Sequence, residues 1–260
     1  MSVMSQRIKK SLAVIAISTI ASLTNIANAT IVQIQTSYGN IEVNLFDKNT
    51  PKTVANFLSY IEDSAYDNSI IHRSISGFIS QGGGYYFDAE DNLIEVTEKS
   101  SITNEPVYSN VRGTIAMAKI GGRANSATSQ WFINLADNST NLNSQNSGFT
   151  AFGQVTDAGM VIMDSIAAVS VANKGGAYTS IPLENTSGGI TQENAVVIDT
   201  IVVTDTTVES AAGLEPVINP IDNSSNSSSF SNGGGSLGFL LTTLLASFGY
   251  INRKKIKRSY

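Results

Sequence analysis

A chain of 260 residues that is 42% hydrophobic is long enough for one ordinary domain with extensions at its ends. Its net charge of −5 hides an uneven layout: residues 30–232 carry 8 basic side chains against all 21 acidic ones, a net of −13, which argues against nucleic acid as the main partner. With no cysteine and one histidine, disulfide and thiolate chemistry are excluded and the ligand set for a transition metal is poor.

Residues 1–29 read as a secretory signal. Arg7, Lys9 and Lys10 precede a short apolar run, Leu12 to Leu23, and Ala27-Asn28-Ala29 offers a small-residue cleavage site. The mature chain is expected to begin near Thr30; the alternative is an uncleaved anchor. Residues 30–36 alternate in polarity, Tyr38-Gly39-Asn40 supplies a turn, and 41–45 return as a partner strand. Thr50 is a plausible helix N-cap and Pro51 fits the first helical position. Val54, Phe57, Leu58 and Ile61 then form one apolar stripe.

Further strands are expected near 69–73, 78–81, 113–118, 130–135, 149–155 and 196–203. A second helix is expected over 159–168, with Met160, Met163, Ile166 and Ala167 facing inward. The acidic stretch 85–108 and the glycine-containing stretch 170–194 read as long surface loops. Asp88, Glu90 and Asp91 lack the spacing and glycine of an EF-hand calcium loop. Residues 206–236, rich in Asn, Ser and Gly towards the end, read as a flexible linker. Leu237 to Ile251 is apolar and a basic cluster from Arg253 to Arg258 follows. Many strands and two helices suit a mainly β fold, and periodicity alone leaves sandwich and barrel open.

The chemistry concentrates in residues 71–83 (IHRSISGFISQGG), 112–119 (RGTIAMAK) and 126–138 (SATSQWFINLADN). These resemble the signature segments of the cyclophilin-type peptidyl-prolyl cis-trans isomerases, and the likeness covers most of 31–203. It implies a closed eight-stranded antiparallel β-barrel with two capping helices, acting on proline-containing polypeptides as a monomer and without a cofactor or metal. It assigns Arg73 as the donor that stabilises the twisted amide. Gln81 would hold the substrate carbonyl, and Phe78, Ile79 and Phe132 would form an apolar cup for the proline ring. Ala118 and Lys119 match the strand end that pairs with substrate backbone, and Gln130 matches a residue that orients substrate. Leu142 and Phe149 match further pocket positions.

The chain departs from the family pattern at three of these places and at Asn141. Ile79 stands where Met is usual, Lys119 where Asn is usual, and Phe149 where others have His or Tyr. Asn141 stands where many members carry an aromatic associated with tight cyclosporin binding, so that binding is expected to be weak.

Ile79 and Gln81 share a face by strand alternation while Phe78 does not, so the backbone must deviate near Gly77 if all three line one pocket. Trp131 should point into the barrel, opposite to Gln130 and Phe132. His72, without a serine elbow nearby, is expected to play a structural, hydrogen-bonding part. An alternative to the enzyme is a module that binds proline-containing segments without turning them over. The tail, Ser231-Asn232 and the glycine run Gly233–Gly235 followed by the apolar and basic segments, resembles bacterial GlyGly-CTERM sorting signals. That resemblance implies export machinery and a rhomboid-type sorting protease as partners; the alternative is a plain C-terminal membrane anchor.

Overall fold

A computed structural model describes residues 30–206 and 214–220. The expected signal segment, most of the linker and the whole C-terminal tail lie outside the described residues. The chain opens with β1 (Ile31–Thr36) and β2 (Gly39–Leu45), an antiparallel hairpin in which Val32 faces Val43 and Ile34 faces Ile41, all four buried. The turn is Ser37-Tyr38. Gly39 already belongs to the strand, at a φ of +126° that disfavours a side chain.

Helix α1 (Pro51–Glu62) buries Val54, Phe57 and Tyr60 and packs Leu58 and Ile61 against the core. Thr50 sits at the N-cap position, but its hydroxyl donates to the Phe46 carbonyl and makes no cap. The Glu105 carboxylate takes the capping role, accepting from the Lys52 and Thr53 amides and the Thr53 hydroxyl. A negative group there also suits the positive end of the helix.

The chain continues through β3 (Ser69–Ile70), β4 (Arg73–Ile75), β5 (Ile79–Gly82), β6 (Tyr85–Phe87), β7 (Leu93–Glu95), β8 (Thr114–Met117) and β9 (Trp131–Asn134). A short helix α2 (Ser139–Leu142) and a 3-10 turn (Gln145–Ser147) precede β10 (Ala151–Val155). Then come α3 (Asp157–Ala167), β11 (Val171–Ala172), β12 (Ile181–Pro182) and β13 (Val197–Asp205). Thr156 caps α3 by accepting from the Gly159 amide, so the helix starts two residues before the expected 159.

The sheet runs β4-β5-β9-β8-β10-β2-β1-β13-β3-β6-β7 with every pair antiparallel. β3 and β4 are the two halves of one extended stretch. The Ile71 amide bonds Val196 on one side, and the His72 amide bonds Gln81 on the other. That stretch therefore joins β13 to β5 and closes an eight-stranded barrel, which leaves no open edge around the ring. Its interior holds Val32, Ile34, Val43, Ile115, Met117, Trp131, Ile133 and Phe152, with α1 and α3 packed on the same cluster. Among the described residues no helix is long and apolar enough to cross a membrane.

Three segments depart from the sequence reading. The stretch 85–108 is not irregular throughout, because β6 and β7 form a hairpin with Tyr86 opposite Ile94. Its acidic tip is a turn in which the Asp88 carboxylate accepts from the Glu90 and Asn92 amides. Within 170–194, β11 and β12 pair, and Ile181 and Leu183 join a small apolar cluster with Tyr85 and Phe87. Residues 214–220, read as linker, lie along the barrel: the Asn219 amide bonds the Val107 carbonyl, and the Ser109 amide bonds Val217. Asn219 is buried there, its side chain donating to the carbonyls of Pro106 and Asn143.

Candidate active site

Strand register places the expected site residues on the outer surface of the barrel. Arg73 pairs with Gln81, Gln81 with Phe132, Phe132 with Ala116, and Ala116 with Ala151. Directly opposed residues of antiparallel strands share a face, so these five form one row across β4, β5, β9, β8 and β10. Trp131, the intervening neighbour, points into the barrel and is 1% exposed.

Phe78 lies outside the regular strand, in the turn between β4 and β5. Gly77 has a φ of +68°, and this left-handed residue supplies the deviation that alternation requires. The turn is pinned where it matters. The Phe78 carbonyl accepts from the Leu135 amide at 2.8 Å and from the Asn138 side chain at 2.9 Å.

Phe78 packs on an apolar cluster that contains Ile79, Ala118, Phe132, Leu142 and Phe149. The rings of Phe132 and Phe149 meet edge to face, 5.8 Å between centroids. Phe46, Tyr108, Ala116 and Ala151 complete the cluster and were not singled out from the sequence. For Ala116 the signal was available, since it lies two residues before Ala118 on one strand face.

A polar chain runs beside this cluster. The Arg73 guanidinium donates from Nη1 to Gln81 Oε1 at 3.4 Å, and Gln81 Nε2 donates to Gln130 Oε1 at 2.8 Å. Gly84 leaves the room for Gln130, because a Cβ there would come within 2.9 Å of its amide carbon. Arg73 is 4% exposed, and its Nε and Nη2 have no hydrogen-bond partner among the described residues. Burial pushes its pKa down to about 10, still well above neutrality, so the group stays charged at pH 7. A buried cation with idle donors is costly unless something else uses them.

His72 cannot serve as a general acid or base at neutral pH. Burial, and then the charge of Arg73, lower its pKa to about 3, so the ring is neutral. Hydrogen bonds with the Gln130 side chain and the Ile70 backbone act against that lowering and give the ring the structural part expected of it. An edge contact with Tyr85 at 5.2 Å holds it as well.

The Lys119 side chain turns away from the strand end. The Ala118 amide bonds the Gln130 carbonyl at the strand end, but the Lys119 ammonium turns under the next loop. It donates to the carbonyls of Asn146 and Gly148, so its side chain is not offered to a substrate. The structure thus brings Arg73, Gln81 and Gln130 together beside Phe78, Ile79, Ala118, Phe132, Leu142 and Phe149. A fixed cationic donor next to an apolar surface can bind a ring and stabilise a lone pair.

The family model described as cyclophilin type peptidyl-prolyl cis-trans isomerase/CLD matches residues 31–187. The peptidyl-prolyl cis-trans isomerase of Acinetobacter baylyi is 40% identical over 149 residues, covering 56% of this chain and 76% of that protein. Peptidyl-prolyl cis-trans isomerase A of Dickeya dadantii is 38% identical over 174 residues, covering 64% and 89%. Peptidyl-prolyl cis-trans isomerase B of Escherichia coli is 37% identical over 160 residues, covering 59% and 93%.

Proposed function

The chain belongs to the cyclophilin-type peptidyl-prolyl cis-trans isomerases and is an enzyme of that activity; from this premise we propose that it acts on exported polypeptides, with Arg73 as the group that lowers the barrier. Amide resonance sets that barrier at about 18–20 kcal/mol. The two isomers of an X–Pro bond differ little in energy, yet exchange takes tens of seconds or more. No bond is made or broken, so no nucleophile or proton acceptor is needed. In the twisted amide the prolyl nitrogen regains a lone pair, and a donor already fixed beside it favours that state over the planar one.

The residues divide the work accordingly. Phe78, Phe132, Leu142 and Phe149 hold the proline ring, Gln81 and Gln130 orient the preceding carbonyl, and Arg73 donates to the prolyl nitrogen. The observation that carries this reading is the buried Arg73 guanidinium, whose Nε and Nη2 have no partner among the described residues. Gln81 aligns it through Nη1.

The place of action rests on the sequence. Residues 1–29 direct export, and the segment from Gly233 onward is a sorting tail that is cut or retained as an anchor. Asn141, in place of an aromatic, makes cyclosporin a weak ligand.

The test is the full chain with an X–Pro peptide. It should accelerate cis-to-trans conversion, and Arg73→Ala should lower kcat/KM by about a hundredfold. Arg73→Lys should be nearly as poor, because a point charge does not reproduce the planar fork. Activity unaffected by either change would remove Arg73 from the mechanism. For export, the mass of the protein recovered outside the cytoplasm decides: it should begin at Thr30 and end either near Ser236 or at Tyr260.

A further inference from the structure

Lys119 is a buried cation that the isomerisation chemistry leaves unused. It is 3% exposed and forms no salt bridge among the described residues. Its ammonium donates to the Asn146 carbonyl at 2.9 Å and the Gly148 carbonyl at 2.6 Å, and it lies 4.9 Å from the centre of the Phe149 ring. Those partners belong to an unusual turn. Asn146 and Ser147 have φ values of +52° and +63°, two L-residues in succession at positive φ, and Gly148 follows at +74°. L-residues visit that region singly and at a cost of about 1 kcal/mol or more each, so external contacts must hold such a run in place.

Two sets of contacts do so. From one side Asn104 donates to the carbonyls of Ser147 and Gly148. From the other, Lys119 gathers the carbonyls of Asn146 and Gly148, while the Asn146 side chain bonds the Ile120 carbonyl. The turn delivers the backbone directly into Phe149, whose amide bonds Leu142 and whose ring closes on Phe132.

We propose that Lys119 is a positioning residue for the isomerase: by clamping the 145–148 turn and facing the Phe149 ring, it fixes the wall of the apolar cup relative to the strand end at Ala118. A buried lysine is an expensive way to hold a surface turn, since its charge must be desolvated. Burial lowers its pKa to about 8, and at neutral pH it is still an ammonium, with three donors for two carbonyls and an aromatic face. The ammonium spans 27 residues to Asn146 and 29 to Gly148, so one side chain ties the end of β8 to the opposite wall of the cup.

The proposal rests on the reading of that cup as the proline site, and its test separates the two. In the full chain, Lys119→Met keeps the length of the side chain and removes its donors. Amide hydrogen exchange at Phe149 should quicken by about tenfold or more while the β9 amides stay unchanged. KM for an X–Pro peptide should rise about fivefold, with kcat within about twofold. Lys119→Arg, which restores donors and charge, should return both quantities towards wild type.

Exchange and KM both within twofold of wild type in Lys119→Met would overturn the proposal. So would a rise in KM without a change at Phe149, or an arginine variant no better than methionine. Should Lys119→Met fail to fold, the wild-type protein decides: the Lys119 ammonium protons should exchange slowly and show contacts to Gly148 and Phe149, and free exchange with water sinks the idea. An inactive wild type would instead overturn the cup reading, leaving the exchange result intact.

Discussion

Trp131 and Phe132 are neighbours in sequence and belong to opposite worlds. Trp131 enters the barrel interior with Ile115, Met117, Ile133 and Phe152, where packing is tight enough that a Cβ on Gly83 would come within 2.8 Å of the indole. Phe132 faces outward, in the row shared with Gln81 and Arg73, among groups with donors to spare. The indole N–H on the inner face also has no partner among the described residues, but that group is neutral. Two demands on this chain are met on two faces. Alternation along the same strands puts stability on one face and a costly, charged, underused site on the other.

The largest expected effect breaks the inner side. Trp131→Ala should cost about 3–5 kcal/mol in urea unfolding, as full burial of a large aromatic implies. A loss below about 1 kcal/mol would show that the interior is not what holds the barrel.

Next comes the contrast between His72 and Arg73, adjacent residues that answer burial in opposite ways. Arg73 keeps its charge and His72 gives its up. Because the folded pKa of about 3 lies below the unfolded value of about 6.5, the unfolded chain takes up a proton that the folded chain refuses. Stability from this source is complete above pH 6.5 and is lost as the pH falls towards 3. Between pH 6.5 and 5 the loss should be about 2 kcal/mol. As the chain has one histidine, His72→Gln should flatten the slope in that window, and an unchanged slope would mean that the ring is not held neutral.

A smaller effect sharpens the outer side. Phe132→Leu should lower kcat/KM about tenfold, equivalent to 1.4 kcal/mol in the transition state, while unfolding shifts by about 1 kcal/mol. If stability fell far more than activity, the outer row would be core after all.

How much of this was open to reading from residues alone varies by cause. The barrel strands announced themselves because one face is apolar and period two survives, as in Val32, Ile34, Val43 and Leu45. The bend at Gly77 followed from asking Phe78, Ile79 and Gln81 to share a surface. The β6–β7 hairpin was hidden by Asp88, Glu90 and Asp91, which made a structured turn look like solvent-loving loop. Alternation gives Lys119 a direction but does not say that its ammonium folds under a turn remote in sequence. Nor does composition reveal that Asn219, in a stretch read as linker, is buried.

Asn219 has the smallest expected effect and links a third segment to the two faces. The strap 214–220 bridges Tyr108 through Ile218, and Asn219 donates to the carbonyl of Asn143, the residue after Leu142 in the cup. Asn143 is itself bonded to Asn110 and Ser109, and the Ser109 amide and hydroxyl in turn bond the strap. A buried amide with its bonds satisfied contributes about 1 kcal/mol. Asn219→Ala should therefore lower stability by about that amount and speed amide exchange at Asn143 more than in β9, with kcat/KM within about twofold. A uniform rise in exchange across the barrel would make the strap part of the global fold. A tenfold fall in kcat/KM would mean that the outer row depends on a segment far along the chain.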